Sequence, residues 1–156
     1  MRTTKTGKGH MRKTGIAAAL LALAACSGGK PDMPKLALQP ILYFDVTRNK
    51  LYGSGCNFVA AGDGMGAVFL AMEARGLIKL DDHILAIPAA ADAAPLPQGA
   101  HTHYAGPLYA ATLVPVAGGK HKTLGVVSVF TGHLLITDAR GQTVYEATGD
   151  IQCKPM

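Results

Sequence analysis

Short apolar segments and turn signals alternate from residue 41 onward, at a spacing of about 8–12 residues. This spacing is typical of antiparallel sandwiches and barrels, so we expect a mainly β fold, either a small antiparallel barrel or a sandwich. Asp81-Asp82, between the apolar segments 76–80 and 83–87, predicts a tight hairpin. Further strands are predicted at 41–46, 56–60, 108–114 and 123–130, and a second hairpin at 134–137 and 142–146 around the turn 138–141.

The segment 67–75 admits two interpretations. Its residues are good helix formers, and Gly76 follows at the place of a C-terminal helix cap. As a strand, the continuous apolar run from Ala67 to Met72 would have to be buried on both faces. We favour the strand, because the neighbouring segments are β-like. The alternative is one short helix across a curved sheet, which would make the domain α+β.

A short apolar run, 15–26, follows Arg12-Lys13 and ends in a cysteine. It is too short to span a membrane, which takes roughly 20 residues, but it fits the core of an export signal. Because Met11 begins a complete leader of this kind, we expect translation to start there rather than at Met1. An uncleaved N-terminal membrane anchor is the alternative interpretation.

The end of this run, Leu23-Ala24-Ala25-Cys26, resembles the lipobox of bacterial lipoproteins. The resemblance implies that 1–25 is a signal peptide and that Cys26 is acylated and becomes the first residue of the mature chain. Residue 27 is Ser rather than Asp, which in such lipoproteins implies transfer to the outer membrane, facing the periplasm. The implied partner is therefore the membrane, bound through the Cys26 lipid.

The residues after the leader are expected to form a flexible tether, 26–40, and a single β-rich domain, 41–156. The formal net charge of +5 belongs to the leader, because 1–25 holds five of the 15 Lys and Arg residues and none of the 10 acids. The remainder has equal numbers of basic and acidic residues. This balance gives no support to nucleic-acid binding, which would need a basic patch.

Acylation would use Cys26, one of the three cysteines. Cys56 and Cys153 then form an even pair in an oxidising compartment, which predicts a disulfide. The bond would close a loop of about 100 residues, worth about 4–5 kcal/mol in the chain-entropy model. A metal site built from two free thiols is the alternative, and the lack of a CxxC spacing argues against it.

The sequence His101-Thr102-His103 is the strongest metal-binding pattern. Residues i and i+2 of a strand point to one face, so both imidazoles could reach one divalent ion. His121 and His133 could add a ligand from elsewhere in the fold. The alternative interpretation is an exposed loop, 99–106, that carries two histidines.

Patterns for catalysis are weak. No serine lies in a Gly-x-Ser-x-Gly elbow, and Asp81-Asp82 fits a turn better than an acid/base pair. The glycine loop 62–66 suggests phosphate binding, but residue 67 is Ala and the sequence lacks βα alternation. We therefore predict a protein that is not an enzyme, with no cofactor other than the divalent metal considered above.

The tether, the short strands, the Asp/Gly hairpins and the last cysteine together resemble small periplasmic β-domain lipoproteins of proteobacteria, such as membrane-bound lysozyme inhibitors. This resemblance implies a lipid-anchored binding or structural module of the cell envelope, with an envelope protein as its partner. Two alternative functions are inhibition of a lysozyme-type enzyme and metal binding through His101 and His103.

Overall fold

The computed structural model describes residues 35–155, so the predicted leader and most of the predicted tether lie outside the described residues. Within 35–155 the chain forms one short α-helix, nine strands and one 3₁₀ turn, Pro97–Gly99. The elements are α1 (Tyr43–Arg48), β1 (Gly55–Ala60), β2 (Phe69–Met72), β3 (Arg75–Leu80), β4 (His83–Pro88), β5 (His103–Ala105), β6 (Tyr109–Pro115), β7 (His121–Leu124), β8 (Val127–Asp138) and β9 (Thr143–Lys154).

The strands form a nearly closed antiparallel barrel. One meander consists of β1 to β4, and a second consists of β5, β6, β8 and β9. β9 pairs with the whole of β1, with Cys56 opposite Cys153, and so joins the two meanders on one side. On the other side, a bridge between Ala89 and Tyr104 brings the ends of β4 and β5 together. The prediction of a mainly β, small antiparallel barrel is confirmed.

β7 lies outside this ring and forms a hairpin with the first residues of β8. The predicted single strand 123–130 is therefore wrong. The chain reverses at Gly125, whose φ of 62° is favourable for glycine in a tight turn. β8 then continues without interruption to Asp138. Gly132 makes close packing possible there, because a Cβ at this position would overlap the Ile151 side chain of β9.

β2 confirms the strand interpretation of 67–75, and both faces of this strand are buried. Phe69 and Ala71 belong to the main core inside the barrel. Leu70 and Met72 belong to a second, smaller core on the outside of the sheet. The strand is therefore buried on both faces, as its continuous apolar sequence predicts.

The second core is covered by α1, where the sequence predicts a strand at 41–46. That prediction is wrong, because residues 43–48 form a helix in which Asp45 is buried and Val46 packs against the second core. The Asp45 carboxylate accepts a hydrogen bond from the Leu42 backbone N–H at 2.9 Å, which satisfies a free donor at the start of the helix. The Lys79 ammonium donates to both Asp45 carboxylate oxygens, at 3.0 and 3.1 Å.

The segment 36–41 crosses one end of the barrel, from β9 to β3. Its backbone N–H groups donate to carbonyls in the pairs Leu36 to Val144, Gln39 to Lys79 and Ile41 to Ala67, at 2.7, 2.9 and 2.8 Å respectively. Leu36 and Leu38 pack against the main core. The flexible tether predicted over 26–40 is therefore wrong for its last five residues, because these leucines cover the barrel end. The part 26–34 lies outside the described residues.

Asp45 is expected to make the stability of the barrel depend on pH in the acid range. Hydrogen bonding from the Leu42 N–H, supported by Lys79, holds the pKa of this carboxyl below its ordinary value despite the opposing effect of burial. A carboxyl with a depressed folded pKa stabilises the fold above its unfolded pKa of about 3.9, and this contribution is lost as pH falls through the folded pKa.

Asp45→Asn should therefore lower Tm at pH 7, and its deficit relative to the wild type should shrink between about pH 4 and pH 2. Thermal melts across this range measure the effect. Asp92→Asn, in an exposed loop, serves as the control for loss of one negative charge. A deficit of Asp45→Asn that is the same at both pH extremes would contradict the role of the carboxylate.

Candidate functional site

The two ends of the barrel carry different structures. The capped end is the one crossed by 36–41, and it also carries the hairpin turns 81–82 and 139–142. The groove end carries the loop 89–102 and the β7–β8 hairpin. β9 connects them, since Val144 bonds to Leu36 at the capped end and Cys153 lies near the groove end, about 30 Å further along the strand.

A groove of about 380 Å³ lies at the groove end. Its lining is mainly apolar and comes from three segments of the sequence, 95–97, 115–121 and 130–131. One wall is Pro95, Leu96 and Pro97, the other contains Pro115, Val116, Gly119, Phe130 and Thr131, and the ionisable lining residues are Lys120 and His121. A concave apolar surface with a few polar groups is typical of a binding site.

The first wall is held by contacts with the barrel. The Leu96 N–H donates to the Ala100 carbonyl at 2.7 Å, and Ala100 is fully buried in the main core. The Pro97 carbonyl oxygen lies 3.4 Å from Cys56 Sγ, so this wall rests on the disulfide. Together with the bridge between Pro95 and His101, these contacts give the loop a fixed shape.

Tyr104 holds the end of the same loop. It is fully buried and packs edge to face against Phe69, with 5.5 Å between ring centroids. Its hydroxyl donates to the Met72 carbonyl at 2.8 Å and accepts the His101 backbone N–H at 2.9 Å. Burial raises the pKa of Tyr104 to about 12, so the hydroxyl remains protonated at neutral pH and keeps donating. Its role is to fix the loop.

The second wall is the segment between β6 and β7, packed on β8. The Val116 N–H donates to the Thr131 carbonyl, and the Thr131 N–H donates to the Lys120 carbonyl, both at 2.9 Å. The His121 ring packs edge to face on Phe130, with 6.0 Å between centroids. Both basic residues are exposed, so they can meet a ligand beside the apolar lining.

The structure places the two predicted metal-binding histidines in different surroundings. His103 Nδ1 lies 3.2 Å from Thr112 Oγ1. The His101 ring packs against Tyr104, and its Nδ1 is buried without a hydrogen-bond partner. The His101 side chain therefore packs within the loop that forms the first groove wall.

The other two histidines considered as ligands are elsewhere. His133 Nε2 lies 3.0 Å from a carboxylate oxygen of Glu146, and His121 lines the groove. Among residues 35–155, no group of three or more His, Cys, Asp or Glu side chains is arranged to hold a metal ion. The described residues therefore give the predicted His101 and His103 pair no third ligand.

Cys56 and Cys153 form a disulfide, the pairing that the sequence predicts. They are directly opposite each other on β1 and β9, and both are buried. Their contact with Pro97 makes the bond a support for the groove wall rather than a source of free thiols for a metal. The predicted lipidation residue, Cys26, lies outside the described residues.

The glycine loop 62–66 connects β1 to β2. It leads into a strand, whereas the dinucleotide pattern requires a helix after the loop. Asp81 and Asp82 form the turn between β3 and β4, with φ of 47° and 62°. Positive φ at both central residues is the geometry of the tight hairpin that the sequence predicts.

The groove is the feature that the sequence analysis did not predict. Its walls are brought together only when the barrel closes, so no local spacing reveals them. A weak signal exists in the prolines of Pro95-Leu96-Pro97 and Pro115-Val116. Proline fixes φ, so these residues give the connections a rigid apolar surface.

No helix within 35–155 has the length and the apolar character that crossing a membrane requires. A function for this chain has to be inferred from the groove and from the sequence motifs. Comparison with protein families, with curated proteins and with solved structures found no match to this chain.

Proposed function

We propose that this chain is a lipid-anchored binding module of the cell envelope, attached through Cys26 and binding a partner protein in the groove. The observation that carries the proposal is the position of the groove. It lies at the end of the barrel opposite Leu36, where the chain coming from Cys26 reaches the fold. A domain attached at its capped end would present the groove to the periplasm.

The chemistry of the groove indicates what kind of partner would fit. Its apolar lining suits an apolar side chain of the partner, and Lys120 suits an acidic group beside it. The tip of the β7–β8 hairpin, beyond the groove, also exposes Leu124 and Val126, at 54% and 69%. We therefore propose that the partner binds with an apolar segment flanked by acidic residues, and that binding involves no catalytic step.

The lipobox resemblance of 23–26 supports the membrane attachment, and Ser27 supports the outer membrane as its location. Together these features favour a partner among the proteins that reach the periplasmic face of that membrane. Inhibition of a lysozyme-type enzyme is the narrower form of the same proposal.

Site-specific crosslinking in intact cells tests the groove. A photoreactive phenylalanine analogue at Val116, which is 39% exposed in the groove wall, should give a discrete crosslinked product. The same analogue at Leu108, 63% exposed in the β5–β6 turn at the capped end, is the matched control and should give none. Lys120→Glu should reduce the Val116 product. Equal products from both positions, or none from Val116, would contradict binding in the groove.

Metabolic labelling with an alkyne fatty acid tests the anchor in the same cells. The wild-type chain should carry the label and sediment with membranes, whereas Cys26→Ser should lose both properties. Label that persists on Cys26→Ser would rule out this attachment. Mass spectrometry of the Val116 product identifies the partner, and a lysozyme-type enzyme there would select the inhibitor hypothesis.

A further inference from the structure

Besides Leu108, four apolar side chains at the capped end are exposed to solvent, and these four have no role in either core. Leu42, Tyr43 and Phe44, at the start of α1, are 54%, 82% and 66% exposed, and Met65, in the 62–66 loop, is 97% exposed. We call these four residues the capped-end patch. Folded domains seldom expose consecutive large apolar residues unless the surface binds something.

The backbone brings the two parts of the patch together. Gly66 packs so closely on Pro40 that a Cβ at this glycine would overlap the proline ring. The next residues along, Ile41 and Ala67, are joined by a backbone hydrogen bond of 2.8 Å. Met65 therefore lies beside the chain that leads into Leu42, on one side of the capped end.

The cationic side chains at the end of α1 favour an anionic surface as the occupant. The Arg48 guanidinium lies 6.0 Å from the centre of the Phe44 ring, and Lys50 is exposed just after the helix. The one acid of the helix, Asp45, is buried and paired with Lys79. Exposed acids also lie near the patch: Asp82 is 3.6 Å from Lys79 Nζ, Asp63 is in the same loop as Met65, and Asp150 of β9 lines one depression with Met65. Aromatic and aliphatic side chains beside cationic ones are the composition of segments that lie at a membrane interface.

The length of the chain before the barrel limits how far this patch can be from an anchored lipid. Leu36, the first of the described residues whose backbone bonds to the barrel, is ten positions after Cys26 in the sequence. Even a fully extended chain of this length spans at most about 33–36 Å. A patch held this close to the bilayer has a high effective concentration at the lipid surface. Even a weak contact between the patch and the lipid would therefore be populated.

We propose that the capped-end patch lies in the headgroup region of the membrane that anchors Cys26, and so orients the barrel with its groove away from the lipid. The inference rests on the proposed lipid anchor, and it adds a second, non-covalent contact with the bilayer. Tyr43 and Phe44 place aromatic rings at the depth where such rings are favourable. Arg48 and Lys50 meet the phosphate groups of anionic lipids.

Fluorescence of the full chain on vesicles tests this arrangement. The sequence contains no tryptophan, so Phe44→Trp supplies a single reporter. The unacylated chain is coupled through the Cys26 thiol to maleimide-bearing lipid in phosphatidylethanolamine–phosphatidylglycerol vesicles. Coupling should shift the Phe44→Trp emission to the blue, and lipids brominated in their acyl chains should quench it. Val126→Trp, at the groove end, is the matched control and should show neither change.

Three results would overturn the proposal. Brominated lipid could quench Val126→Trp as strongly as Phe44→Trp, or the coupled Phe44→Trp chain could keep its lipid-free emission. A blue shift that grows with protein concentration in the absence of lipid would show instead that the patch joins two copies of the chain. Because maleimide supplies the anchor, each of these failures leaves acylation of Cys26 as a separate question, which fatty-acid labelling answers.

Discussion

Reduction of the Cys56–Cys153 disulfide is expected to lower the free energy of unfolding by about 4–5 kcal/mol. The two cysteines are 97 residues apart in the sequence, so the bond removes many extended conformations from the unfolded chain. A loss of this size corresponds to a fall in Tm of about 10–20 °C for a domain of this length. Calorimetry of the oxidised and the reduced chain measures it directly.

The double variant Cys56→Ala, Cys153→Ala provides the control for this experiment. It should melt close to the reduced wild type, and reductant should leave its Tm unchanged. Because Cys56 Sγ lies against the Pro97 carbonyl, the variant should also weaken the Val116 crosslink through the groove wall. A wild-type Tm that is the same with and without reductant would show that the bond does not stabilise the fold.

Leu51→Ala is expected to cost about 2–5 kcal/mol, the usual range for a buried leucine. Leu51 follows α1, is 4% exposed, and belongs to the second core with Leu70, Met72 and Leu77. Removing its side chain would leave a cavity between the helix segment and the outer face of β2 and β3. The position therefore measures how much the outer cover contributes to the stability of the barrel.

Leu42→Ala is the matched control, because this residue lies at the start of the same helix but is 54% exposed. In solution it should change stability by no more than about 0.5 kcal/mol. Urea unfolding of both variants gives the comparison. Equal losses would mean that the exposed side of α1, and not the second core, holds the helix in place.

The hairpins were predictable from the sequence because their determinants are local. Asp81 and Asp82 adopt the positive φ values of a tight turn, and they separate two apolar runs. At the next clear hairpin, the Asp138 carboxylate accepts the backbone N–H groups of Arg140 and Gln142, both at 2.9 Å. Asp is favoured in turns for this reason, so the residue type alone indicated the geometry.

The helix α1 was not predictable in the same way. Residues 41–46 have the apolar and β-branched character of a strand, and only Asp45 departs from it. The burial of that aspartate depends on Lys79, 34 residues further along, and on a sheet with a second apolar face to cover. Tertiary packing therefore overrode a local preference for strand.

The candidate site was the least predictable part of the molecule. The prediction of a disulfide rested on a count of cysteines and on the compartment, and these are properties of the whole chain. The groove depends on two connections, 95–97 and 115–121, that are far apart in the sequence. They lie side by side only once β6 has paired with β8 in the folded barrel. The His101 and His103 pattern predicted a metal site. In the structure, the backbone N–H of His101 donates to the Tyr104 hydroxyl, and the His101 ring packs against the Tyr104 ring.

The place of β9 in the ring also governs the order of folding. The two meanders are built from strands that are close in sequence, so each can form early, whereas β9 and β1 have to find each other across most of the chain. Until they do, both strands present unpaired edges to other chains. A chain already oxidised at Cys56 and Cys153 has these edges beside each other and should refold faster. Timely oxidation would therefore shorten the period in which the new protein is prone to aggregate.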